Sequence, residues 1–198
     1  MKRLVTLFLI IATSFLHAEE GMWLLDQLDQ LNLKDKGLRI DIDDIYHPQK
    51  TSLQHAIVWL GGCSASFVSP DGLIVTNHHC AYGALQKAST NEKDYITDGF
   101  LANTKEEEIQ ALGSTASMLL EMKEVTQSVL QAVKGIEDPV ERDRKTEARI
   151  KALEEEIEKK RDDYRVYIRP MYKGKKYYQF VFQRFEDVRL VFAPPLSI

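Results

Sequence analysis

One stretch of the chain gathers the side chains able to do chemistry: Cys63, His78, His79 and Cys80, the two cysteines 17 residues apart. A histidine, with an unperturbed pKa near 6.5, exchanges protons close to neutral pH, which suits a general base. Imidazole and thiolate are also zinc-ligand types, so the same four residues offer a metal site. Cys80 beside His79 is the pair that a thiol nucleophile and its base would use. In an oxidising compartment the two cysteines would instead close a disulfide, worth about 3 kcal/mol in the chain-entropy model. Neighbours at a strand end point to opposite faces, which works against both the zinc and the thiol-base arrangements. A disulfide next to a general base remains, with no metal expected.

The elements that must position these residues are strands. Residues 56–60, 63–68 and 73–76 are β-prone apolar runs. Ser69-Pro70-Asp71-Gly72 between the last two is a turn by composition, so they read as a β-hairpin. Residues 77–80 follow at the end of its second strand. Further strands are expected over 117–125, 166–168, 177–184 and 188–192, with Lys173-Gly174-Lys175 as a turn. Residues 138–164 form the strongest helix, with Pro139 in its first turn. Ile150, Leu153, Ile157 and Tyr164 make its narrow apolar stripe, and its charged residues are expected to be a solvated face. Short helices are expected near residues 22–33, with Gly37 as C-cap, over 40–45, after Thr104, and over 125–133. Trp23 and Trp59 read as core residues, and His47 and His55 as surface or turn residues.

The chain has 198 residues with a formal net charge of −4, which argues against nucleic acid as a partner. Lys2 and Arg3 precede an apolar run from Leu4 to Leu16, and Ala18 is a small residue before Glu19. That pattern reads as a secretory signal over residues 1–18, too short for a spanning helix of about 20 residues. The mature protein is therefore expected outside the membrane, in the periplasm or at the cell surface.

The segment from Gly61 to Gly83, Gly-Gly-Cys-Ser-Ala-Ser-Phe-Val-Ser-Pro-Asp-Gly-Leu-Ile-Val-Thr-Asn-His-His-Cys-Ala-Tyr-Gly, resembles the His-motif block of the S46 serine peptidases, the bacterial dipeptidyl-peptidase 7/11 family. The segments at 21–25, 94–100 and 185–195 also resemble family segments. The resemblance implies a mainly β chain with helical insertions and a chymotrypsin-like, double β-barrel, trypsin-like serine peptidase fold, of which residues 19–198 would be the N-terminal part of the catalytic domain. It implies release of dipeptides from peptides with a free N-terminus by a Ser-His-Asp triad that needs no cofactor, and it leaves room for a homodimer of the full-length enzyme. His79 matches the catalytic histidine, and Cys63 and Cys80 match the family's disulfide.

The family's triad Asp lies shortly after the Ala193-Pro194-Pro195 segment, and its Ser lies far beyond in a Gly-x-Ser-Gly-like context. Neither is among these residues, so the chain alone is expected to be inactive. Asp94, Asp98 and Asp187 are carboxylates in suggestive places but read as caps or surface groups. Two alternatives stand beside this reading. One is another exported chymotrypsin-like endopeptidase. The other is a non-catalytic periplasmic binding protein derived from a peptidase.

Overall fold

The alternating apolar runs fold as antiparallel strands, and helices fill the connections between them. The structure is a computed structural model that describes residues 21–196, so the expected signal segment lies outside the described residues. The chain divides into two compact units, Met1–Tyr46 and His47–Ile198.

In the first unit a 3₁₀ helix, Leu25–Leu31, ends at Asn32, whose φ of 46° is left-handed. Asn tolerates that conformation better than most side chains, so it stops the helix. Gly37, expected as the cap, instead sits in a later turn. The Lys34 ammonium donates to the Asp41 carboxylate at 2.8 Å. A single turn, α1 (Ile42–Ile45), follows. Its Asp44 carboxylate accepts the Asp41 N–H at 3.2 Å.

The second unit holds β1 (Ile57–Leu60), β2 (Cys63–Phe67), β3 (Ile74–Thr76), α2 (His78–Ala88), β4 (Phe100–Leu101), β5 (Ile109–Gln110), β6 (Ala116–Glu124), α3 (Thr126–Leu130), α4 (Pro139–Glu158), β7 (Tyr164–Met171), β8 (Lys176–Phe185), β9 (Arg189–Leu190) and β10 (Phe192–Ala193). Six of the strands form one antiparallel sheet in the order β3-β2-β1-β6-β8-β7. Two short ribbons pair β4 with β10 and β5 with β9. The protein is thus mainly β with helical insertions, as its sequence indicated.

Pleating sorts the sheet's side chains. Val58, Ala65 and Ala116 share one face and pack with Leu60, Phe67, Ile74 and Val188. Toward the other end of the sheet, Ile168 and Tyr177 bury against Val129 of α3 and Ile150 and Leu153 of α4. Trp59 points to the opposite face and is 44% exposed, and Trp23 is 39% exposed, so neither is the core residue expected. Strand alternation decides the case of Trp59: Val58 takes the buried side, so its neighbour cannot.

The long helix starts as its sequence dictates. Asp138 accepts the Glu141 N–H at 2.7 Å, and Pro139 opens the first turn. Its charged residues, however, do more than face solvent. β7 is a sheet edge, and two of its outward amides need acceptors. Glu158 accepts the Val166 N–H at 2.8 Å and Glu154 accepts the Ile168 N–H at 2.7 Å. The helix therefore covers this edge. At the other edge, β3 pairs with β2 alone among the described residues.

Asp94 organises the loop that leads to β4. Its carboxylate accepts the Thr97 hydroxyl at 2.6 Å and the Ile96 and Thr97 N–H groups at 3.1 and 3.2 Å. The Thr97 hydroxyl, with the Thr97 and Ile96 amides, holds the Asp94 carboxyl below the ordinary aspartate value. Two residues on, Gly99 has a φ of +77°, and a Cβ there would meet the Ala193 carbonyl oxygen and the Pro195 nitrogen at 2.8 Å each. Gly99→Ala should cost roughly 2–4 kcal/mol from left-handed strain and overpacking, read as a lowered melting temperature. A depressed folded-state pKa adds stability that is present above about pH 4 and drains away as pH falls through the folded value. Asp94→Asn should therefore lower stability at neutral pH and flatten the acid limb of a stability-against-pH curve.

Candidate functional site

The β2–β3 hairpin ends at Thr76, whose hydroxyl donates to the Ser64 carbonyl at 2.9 Å and pins the strand end to its neighbour. Asn77 is still extended, with φ −74° and ψ 147°, and α2 begins at the next residue. The Cys80 N–H donates to the Asn77 carbonyl at 3.0 Å and closes the first turn. His78, His79 and Cys80 therefore lie on a helical turn, not on the strand end that the sequence suggested. Ala81, Ala84, Leu85 and Ala88 recur at helical spacing, and that pattern was the available signal. Leu85 is fully buried in a cluster with Ala111, Leu190 and Ala193, against which Ala81 and Ala84 pack. The helix is held by that apolar stripe, and its first turn is held by the sulfur bridge.

Cys63 and Cys80 form a disulfide with Cα atoms 6.1 Å apart. It joins the first residue of β2 to the first turn of α2. The two sulfurs and a ring nitrogen of His79 lie within 4.8 Å of one another. That cluster has the atom types of a zinc site, but both sulfurs are spent in the bridge and neither is a thiolate. The bridge equally removes Cys80 as a nucleophile.

The two histidines part company at this turn. His79 is exposed, beside the disulfide. His78 is half-buried, its ring set edge-on to Tyr82, one helical turn ahead, with centroids 6.3 Å apart. Its Nε2 is buried without a hydrogen-bond partner. Of the two, His79 is the more open to solvent.

Among the described residues, no carboxylate or hydroxyl hydrogen-bonds the His79 ring. Of the acids that the sequence raised, the Asp94 and Asp187 carboxylates are engaged elsewhere, and Asp98 is exposed. Asp94 caps its own loop, and its carbonyl accepts the Asp98 N–H at 2.9 Å. Asp187 grips Arg189 through two contacts of 3.0 and 2.9 Å, which hold the Asp187 carboxyl below its usual range. His47 and His55 serve their own turns, accepting the Gln49 and Ser52 N–H groups at 3.0 and 3.2 Å. The geometry thus leaves His79 an exposed imidazole on a turn tied down by the disulfide.

The family model described as peptidase S46 matches residues 18–198. The chain is 38% identical to the dipeptidyl-peptidase 7 of Capnocytophaga gingivalis, over 98% of this chain and 28% of that protein. Against the dipeptidyl-peptidase 7 of Porphyromonas gingivalis it is 39% identical, over 94% of this chain and 27% of the other. The crystal structure of Porphyromonas endodontalis DPP11 in complex with the dipeptide Arg-Glu superposes with a TM-score of 0.82 at 36% identity, covering 91% of this chain and 27% of that one. The chain thus spans little more than a quarter of the length of these relatives.

The bridge carries a direct expectation. It closes a loop of 17 residues, so reduction, or replacement of both cysteines by Ser, should cost about 3 kcal/mol. Unfolding in denaturant with and without reductant measures this. Amide exchange should speed up most across residues 77–83, the turn that the bridge anchors.

Proposed function

The chain belongs to the S46 peptidase family, and we propose that it is the His-bearing part of a serine-type dipeptidyl peptidase, acting on peptides with a free N-terminus. His79 is the general base of this reading. It takes the proton from a serine nucleophile as that oxygen attacks the scissile carbonyl, and it returns the proton to the leaving amine. The observation that carries the reading is the exposed His79 on the first turn of α2, braced by the Cys63–Cys80 disulfide at the end of a pinned hairpin. A base must keep its ring fixed while its proton moves, and both neighbouring elements are tied down.

Peptide substrates are supported by the relatives, whose solved structures include complexes with the dipeptides Arg-Glu and Arg-Asp. We place the protein in the periplasm or at the cell surface. The disulfide supports that placement, because such bridges persist in oxidising compartments. The triad Asp and Ser are expected outside residues 1–198, so these residues alone should not cleave peptides. A lone base without its nucleophile gives little acceleration.

The test assays the product of the gene's whole reading frame on dipeptidyl substrates, with free and with acetylated N-termini. Release of dipeptides should need the free amine. His79→Ala should lower kcat by about 10⁴-fold or more, with the melting temperature unchanged. Residues 1–198 alone should release nothing. If His79→Ala leaves turnover intact, the assignment of the base fails. If acetylated peptides are cut internally, the enzyme is an endopeptidase instead.

A further inference from the structure

The sheet face that points away from Val58 and Cys63 carries a cleft of about 230 Å³, lined by Trp59, Gly61, Thr115, Ser117, Arg165, Tyr167 and Arg184. Register explains how these residues meet. Trp59 pairs with Ser117 across β1 and β6, and Ser117 pairs with Arg184 across β6 and β8. Arg165 pairs with Phe182 across β7 and β8, which sets it diagonally beside Arg184 on the same face. Trp59, Tyr167 and Phe182 form a mutual aromatic trio, with ring centroids 5.7 to 5.9 Å apart.

Two guanidinium groups and three hydroxyl side chains, those of Thr115, Ser117 and Tyr167, line this cleft, and no carboxylate is among the lining residues. That is unexpected in a chain whose formal net charge is −4. The cations are only partly served. Arg184 Nε is buried without a hydrogen-bond partner. The other end of that guanidinium meets the well-exposed Glu186 carboxylate at 3.4 Å. One Arg165 nitrogen donates to the backbone carbonyls of Asp162 and Tyr164, at 2.8 and 2.6 Å. A buried donor without an acceptor is costly, and two cations lining one cleft attract an anion into it.

We propose that this cleft binds a small carboxylate with an aromatic or apolar body. Planar guanidinium forks match a carboxylate's two oxygens, and an adjacent indole and phenol offer the apolar body a surface. The volume falls below the roughly 300–1,000 Å³ typical of drug-sized sites, so the occupant is small. Cys63 points to the other face of the sheet, and the inference uses none of the residues of the peptidase reading.

Trp59 makes the site readable. In the full chain, the indole N–H resonance that vanishes in Trp59→Phe is assigned to Trp59 and serves as the readout. Titration with sodium benzoate at low ionic strength should move it saturably, and benzamide, the neutral isostere, should not. Arg165→Gln and Arg184→Gln should each weaken benzoate binding on the order of tenfold with the melting temperature unchanged. The proposal is overturned if benzoate gives no saturable shift, if benzamide shifts the resonance equally, or if both arginine variants bind benzoate as before. The comparison of benzoate with benzamide needs no arginine variant, so it decides the matter even where a variant misfolds.

Discussion

The structure depends most on the covalent tie between the start of β2 and the first turn of α2. Without it, an extended Asn77 would be a loose joint between a three-residue strand and a helix. The Cys63–Cys80 bridge removes that freedom, and Thr76 clamps the strand below the joint. Downstream, the apolar stripe of α2 seats the helix against Leu190 and Ala193, which belong to the two short ribbons. A residue on that first turn is thus fixed from both sides, by sulfur beneath and by packing behind.

That rigidity contrasts with the openness of the His79 ring. Proton transfer needs a side chain with few partners of its own, held on a backbone that does not move. His78 shows the other solution, with its ring tucked toward Tyr82 and one nitrogen buried. Adjacent positions on one helical turn point in different directions, so two identical side chains acquire different chemical prospects.

Much of this was legible in the residues. The Pro70-Asp71-Gly72 turn, the hairpin around it, the strand near 117–125 and the helix opened by Asp138 and Pro139 all follow from local chemistry, which tertiary packing did not override. The cysteine pairing was readable from composition. What failed did so where a non-local term decided. The helix at His78 was read as a strand end, because the strand signal of residues 73–76 ran straight into it. Residue type alone puts Trp59 in the core, but alternation with Val58 sends it outward. The glutamates of α4 looked like plain solvation, because no local pattern reveals that Glu154 and Glu158 face an unpaired strand.

Those two glutamates give the sheet a direction. Their carboxylates occupy the outward amides of β7, so that margin is closed to further strands by side chains that mimic a neighbouring backbone. Among the described residues, β3 pairs on one side only, with β2. The sheet thus has, among the described residues, one margin closed by side chains and one without a second strand. Any extended chain annealed there would run beside the residues that lead into Asn77 and His79.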